Sequence, residues 1–369
     1  MLNKKHIISL LLIILSIKLF SISEIDSLEA VLNEVSGIKR IAILNELSLQ
    51  YRKVNVEISY DCATQAYELA KKENDEKGKA DALNNIGHYF RKTHDFEKAF
   101  ENFQLALDIY RELKADYDVA NVYDNIGHAY WFKGDFPNVL DYFKRSLGIF
   151  IALEEPGRQS LSYNNLGCVY FRLGMYDESM SNFLNSLSIR ERIDDPKLHS
   201  TLNNLGNIYV RLSDYEKALK MYQRSLEYKR KAGINTQSTL NNIGNIYIQR
   251  NDYENALRYL SEALKINEEN EDEKRIATSL NNIAIVYEEE GKIDEALYNY
   301  QKALELKQKV GDTYGYANTS KNLGNIFLIK KDYKQADFYL QETLEIAKKI
   351  KARDIIKDVY ELMSIRYSK

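Results

Sequence analysis

The sequence predicts an all-α fold, an α-solenoid of about eight helix–turn–helix repeats closed by a C-terminal capping helix. Three observations carry this. One pattern recurs around Gly87, Gly127, Gly167, Gly206, Gly244, Ala284 and Gly324, in steps of 38 to 40 residues. Chain breakers are scarce: 16 Gly and 3 Pro in 369 residues exclude collagen-like and turn-dense all-β designs. Apolar residues recur at helical spacing within each step.

The elements begin with an address. Lys4 and Lys5 precede an apolar run from Ile7 to Ile17, and Ser21 and Ser23 place small residues ahead of Glu24. Residues 1–23 therefore read as a secretory signal peptide, or as an anchor if uncleaved. The run is short for a membrane span of ~20 residues. The expected location is exported: periplasmic or secreted, with N-terminal membrane anchoring as the uncleaved alternative. A lead-in follows over 24–39. The repeats are then framed at 40–79, 80–119, 120–159, 160–198, 199–236, 237–276, 277–316 and 317–356, with the cap at 357–369.

Within a repeat, let the aligned glycine be position 8. At 100° per residue, positions 4, 7, 8 and 11 share one face. They hold Leu83, Ile86, Gly87 and Phe90 in the second repeat, and Leu202, Leu205, Gly206 and Tyr209 in the fifth. That face is the expected core of the first helix. Position 11 is Phe or Tyr in all seven good copies, which accounts for part of an unusual 28 Tyr. Twelve residues after the glycine come Ala99, Val139, Ser179, Ala218, Ala256, Ala296 and Ala336. Sixteen after come Phe103, Phe143, Phe183, Tyr222, Leu260, Tyr300 and Leu340. A degenerate first copy fits with Leu47, Ser59, Ala63 and Ala66. Between the two helices, Gly134, Gly174, Asn251 and Gly291 suit a left-handed C-terminal turn. Asp95, Asp135, Asp214, Asp252 and Asp332 follow as N-caps. Pro137 falls in a first turn, where its missing N–H costs little. Pro156 and Pro196 fall between repeats.

These residues resemble the tetratricopeptide repeat family, whose L-G-x2-Y and A-x3-F pattern describes a helix–turn–helix unit of about 34 residues. The units here are mostly 40 residues, so longer helices are expected. The family's Pro near the unit's end is missing from most copies. The resemblance implies a right-handed solenoid with a concave groove lined by the first helices. It is nearest to exported bacterial sensor-type members, here expected without their output domain. One repeat cannot bury its own apolar face, so stacking should stabilise the chain and the terminal repeats should fray first.

Charge and motifs narrow the function. The net charge is −3, and without Lys4, Lys5 and Lys18 about −6, which argues against nucleic acid as a partner. No P-loop, dinucleotide fingerprint, nucleophile elbow or zincin motif occurs, so no cofactor and no catalytic set is expected. Cys62 and Cys168 lie too far apart along a solenoid to pair.

The candidate site lies on the face away from the core stripe. Position 6 is Asn in all seven copies: Asn85, Asn125, Asn165, Asn204, Asn242, Asn282 and Asn322. Asn is a poor mid-helix residue, up to ~0.7 kcal/mol below Ala, so its repetition calls for a compensating contact. One reading is a ladder of amides gripping the main chain of an extended peptide; the other is amides bracing neighbouring repeats. Trp131, Phe132 and Phe171 could anchor an apolar group, with Arg172 and Arg211 taking a carboxylate; against this, Trp131 could simply pack on the next first helix. His88, His128 and Cys168 share position 9 and form a weak metal candidate with no carboxylate beside it. The expected function is a non-catalytic scaffold or adaptor that binds a protein or peptide. The alternative is a ligand-sensing input module acting with a separate kinase or cyclase.

Overall fold

The computed structural model describes residues 24–367, with the backbone alone for 365–367. The signal segment, residues 1–23, lies outside the described residues. Eighteen helices and no strand occur among the described residues. The chain divides into two compact units between Asp195 and Pro196.

The first unit opens with α1 (24–32) and continues as hairpins: α2 (Gly37–Tyr51) with α3 (Val56–Glu73), α4 (Glu76–Lys92) with α5 (Phe96–Glu112), α6 (Asp116–Lys133) with α7 (Phe136–Ala152), and α8 (Pro156–Arg172) with α9 (Tyr176–Arg192). The second unit holds α10 (Leu198–Arg211) with α11 (Tyr215–Lys231), α12 (Gln237–Gln249) with α13 (Tyr253–Glu269), α14 (Glu273–Glu289) with α15 (Ile293–Lys309), α16 (Thr313–Ile329) with α17 (Tyr333–Lys349), and the last helix α18 (Arg353–Tyr367). Within each unit, hairpins stack so that first helices also touch: α2 meets α4, α4 meets α6, α12 meets α14, and α14 meets α16. This is the α-solenoid arrangement.

Local chemistry fixes the helix ends. Asp95, Asp135, Asp214, Asp252 and Asp332 each accept the backbone N–H three residues on, at 3.1 to 3.4 Å. Asp75, Asp272 and Asp312 do the same for first helices, at 3.0 to 3.1 Å. These caps start α4 at Glu76 and α16 at Thr313, four residues ahead of the frames opened at 80 and 317; α18 likewise starts at Arg353, ahead of 357. Gly134, Gly174, Gly291 and Asn251 turn left-handed, at φ 80°, 76°, 75° and 57°. The turns between repeats do so as well, with Lys114 and Glu154 both at φ 53°.

The core repeats with the sequence. A Cβ on Gly127 would stand 2.6 Å from the Phe143 ring, and one on Gly206 would stand 2.4 Å from Tyr222. Position 8 is thus the seat of the large residue sixteen places on. Tyr130 stacks on Tyr142 with centroids 5.6 Å apart, Tyr247 on Tyr259 at 5.6 Å, and Phe327 on Tyr339 at 5.4 Å. Burying such rings is worth roughly 1.5–3 kcal/mol each before ordering entropy is subtracted.

Candidate functional site

The first helices of the first unit line an open trough of about 510 Å³. Asn45 of α2, Asn84 and Asn85 of α4, Asn125 and His128 of α6, and Arg158 of α8 face it. A second, more apolar recess of about 220 Å³ is lined by His128, Trp131, Phe132, Phe143, Asn165 and Cys168. His128 belongs to both, so the two hollows share a wall.

The asparagines at position 6 are not equivalent. The Asn85 amide donates to Asn45 O and Oδ1, both at 3.2 Å, and its Oδ1 accepts from Arg52. Asn125 donates to Asn84 Oδ1 at 2.9 Å. Both brace neighbouring repeats. Asn165 is half-buried and lines the apolar recess, and its side chain makes no hydrogen bond with any described residue.

In the second unit the bracing moves to position 5. Asn203 donates to Thr239 Oγ1 at 3.1 Å, and Asn281 Oδ1 accepts from Thr319 at 2.8 Å. Asn242 and Asn282 are left half-buried with no hydrogen bond to any described residue. Asn322 lies near the Tyr300 hydroxyl, which itself donates to Glu288. Asn204 is half-buried and engaged with other residues.

The aromatic candidates divide similarly. Trp131 is half-buried and meets Phe136 of its own hairpin edge-on, at 5.7 Å, while facing the recess. Phe132 is 58% exposed, with the Arg91 guanidinium 5.7 Å from its ring centroid. Phe171 tilts against Tyr176 at 5.7 Å and is outside the recess lining. Arg172 is exposed at the end of α8 in the first unit, and Arg211 is exposed in the second.

The electrostatics keep the thiols protonated and the two imidazoles neutral. Burial pushes the Cys168 thiol up to about 11, and the Cys62 thiol likewise. Burial, reinforced by Arg52 and Arg91, depresses His88 to about 2; burial and Arg91 bring His128 to about 4. His128 and Cys168 share the recess but His88 does not, and no three metal-ligating side chains group among the described residues. Asp124 of α6 is 7% exposed and faces the trough; burial raises its carboxyl to about 6, although Ser146 and Arg158 pull it down. Glu288 of α14 accepts from the Tyr300 hydroxyl and the Asn325 amide, both at 2.6 Å.

Sequence reasoning missed Arg52, Arg91 and Asp124 on this surface. Arg91 stands at position 12 of the second repeat, the same place as Trp131 one repeat later, so the repeat alignment carried the signal.

The pattern of the tetratricopeptide repeat family matches residues 78–152, 158–231, 235–309 and 275–349. No curated protein gives a significant sequence match. Solved structures do match in fold. The apo quorum sensor NprR from B. thuringiensis superposes with a TM-score of 0.67 at 15% identity, over 93% of this chain and 97% of that one. Aspartyl phosphate phosphatase F from Bacillus subtilis gives 0.60 at 15% identity, over 90% and 91%. A Rap protein complexed with competence and sporulation factor gives 0.52 at 14% identity, over 90% and 98%. At these identities the likeness is one of fold.

Proposed function

The chain belongs to the tetratricopeptide repeat family, and from that premise we propose that it is a non-catalytic scaffold holding a peptide or partner segment along its first helices. One observation carries the reading. The unpaired amide of Asn165 stands in an apolar recess with Trp131, Phe132 and Phe143. An amide offers the donor and acceptor that a peptide unit needs, and the recess of about 220 Å³ suits one apolar side chain. Asn242 and Asn282 extend the same chemistry in the second unit. Arg172, exposed and without an ion pair among the described residues, offers a charge at the end of α8. The thiols near 11 and imidazoles near 2 and 4 are poorly suited to nucleophilic or acid–base work at neutral pH.

A ligand-sensing module is the second reading. It is favoured by fold neighbours described as a quorum sensor and as a protein complexed with a factor. A scaffold holds its partner constitutively, whereas a sensor recruits a second protein only when the ligand is present. We also read residues 1–23 as an export signal, supported by Lys4, Lys5 and the apolar run. N-terminal sequencing of the chain from its host should then begin at Glu24; cytosolic chain beginning at Met1 contradicts export.

The test of the groove is a displayed peptide library selected on the full chain, followed through emission of its single tryptophan, Trp131. Selected peptides should lose tenfold or more in affinity on Asn165→Ala, read calorimetrically also on Trp131→Ala, with unchanged helicity. Unaltered affinity in both variants rejects this binding site.

A further inference from the structure

Sixteen residues after position 8, the fifth and seventh repeats carry a tyrosine whose hydroxyl finds a partner on its own first helix. Tyr222 donates to Asn207 Oδ1, at position 9 of the fifth repeat. Tyr300 donates to Glu288 at 2.6 Å, at position 12 of the seventh. The third repeat has Phe143 in that place and His128 at position 9. The two rings meet edge-on at 5.1 Å, and Phe143 has no hydroxyl to give. His128 makes no hydrogen bond with any described residue.

This unused imidazole opens on a hollow. His128 lines the recess of about 220 Å³ together with Asn165 of the next repeat, whose amide is also unpaired. Burial and Arg91 bring His128 to about 4, so at neutral pH the ring carries one N–H and one bare nitrogen. The Asn165 amide adds N–H donors and a carbonyl acceptor. The Cys168 thiol is protonated, so no side chain lining the recess is charged at neutral pH. Such a lining suits a neutral group that both donates and accepts. A phenol hydroxyl does both, whereas an indole N–H only donates.

The walls select for a ring. Trp131, Phe132 and Phe143 offer aromatic surface, and edge or offset contacts favour a flat ring over a branched aliphatic group by about three- to tenfold. An apolar cavity of ~150 Å³ takes a benzene, so the recess has room for a ring with a polar substituent. We propose that the recess is a phenol site, which takes the ring of a tyrosine carried by the bound peptide and pairs its hydroxyl with His128 and Asn165, as Asn207 pairs with Tyr222. The assignment of the ring to a peptide rests on the groove reading; the site itself does not.

Fluorine NMR titration of the full chain with 4-fluorophenol and fluorobenzene tests it without any peptide. The probes share a ring and differ by the hydroxyl. 4-Fluorophenol should bind about fivefold more tightly or better. His128→Phe and Asn165→Leu should each bring that ratio to about twofold or less, with fluorobenzene still bound and helicity unchanged. Cys168→Leu, which fills the recess, should weaken both probes about tenfold. No binding of either probe, equal affinity for the two, or a ratio that survives both polar variants overturns the site. Peptides selected on the chain separate the two sources of a phenol. A fixed tyrosine, whose change to phenylalanine costs about tenfold on wild type and little on His128→Phe, places the ring on the peptide. Probe discrimination with no tyrosine in the selected peptides assigns the site to a free phenol. Peptide binding without probe discrimination removes this site and leaves the groove standing.

Discussion

Gly206 and Asp124 show two ways a single residue is held to its place. The Gly206 position has no room for a methyl, at 2.4 Å from Tyr222. Gly206→Ala should therefore cost about 1–3 kcal/mol by overpacking, less up to ~1 kcal/mol of helix propensity. Denaturant unfolding measures it. The seventh repeat has already accepted Ala284, fully buried with Tyr300, so Ala284→Gly should lose roughly 0.5–1 kcal/mol. Asp124 has a raised carboxyl, at about 6 against ~3.9 unfolded. The folded state therefore binds that proton more tightly. Its contribution to stability is full below pH ~4 and is lost as pH rises through about 6. The stability of Asp124→Asn relative to wild type should climb over that window; a flat difference would contradict the assignment. The depressed His88 and His128 act oppositely, losing stability as pH falls below ~6.5. At this scale the sequence revealed the glycine seats, because they repeat. Asp124 was hidden, because nothing in one repeat tells that a carboxylate at position 5 will be buried beside Ser146.

Helices and their pairings were legible to a finer grain than the amides they carry. The five Asp caps and the left-handed turns at Gly134, Gly174, Asn251 and Gly291 follow from residue type and spacing. Other turns were harder to read, since His94, Ser213 and Lys331 inside hairpins, and Lys114 and Glu154 between repeats, take a left-handed backbone without glycine's sequence signal. Asp75→Ala should cost about 0.5–2 kcal/mol through loss of the α4 cap. It should also quicken amide exchange over the first turn of α4 more than elsewhere in the hairpin.

The amide ladder was visible as a face but not as a set of partners. A threonine at position 3 of the next repeat draws the position 5 asparagine into the bracing, whereas Ser279 at that place bonds Asn267 and leaves Asn241 Oδ1 without a partner among the described residues. Thr239 and Thr319 offer hydroxyls there and bond Asn203 and Asn281. Ala82 and Val122 offer none, and Asn85 and Asn125 reach back to Asn45 and Asn84 instead. Asn165 has no such partner, since Asp124 replaces asparagine at position 5 of the repeat before it.

At the scale of the whole molecule, stability is a sum over repeats and their interfaces within each compact unit. Terminal elements have one neighbour fewer, so α1 and α18 should exchange their amides first and α4 to α7 among the last. No described helix is long and apolar enough to cross a membrane. The central claim is that the first helices, and not the second, face the ligand. Hydrogen exchange of the full chain with and without a library-selected peptide tests this most directly. Slowed exchange should gather in α4, α6 and α8, around Asn85, Asn125 and Asn165, and leave α5, α7 and α9 nearly unchanged. Protection centred on those second helices instead would contradict the account.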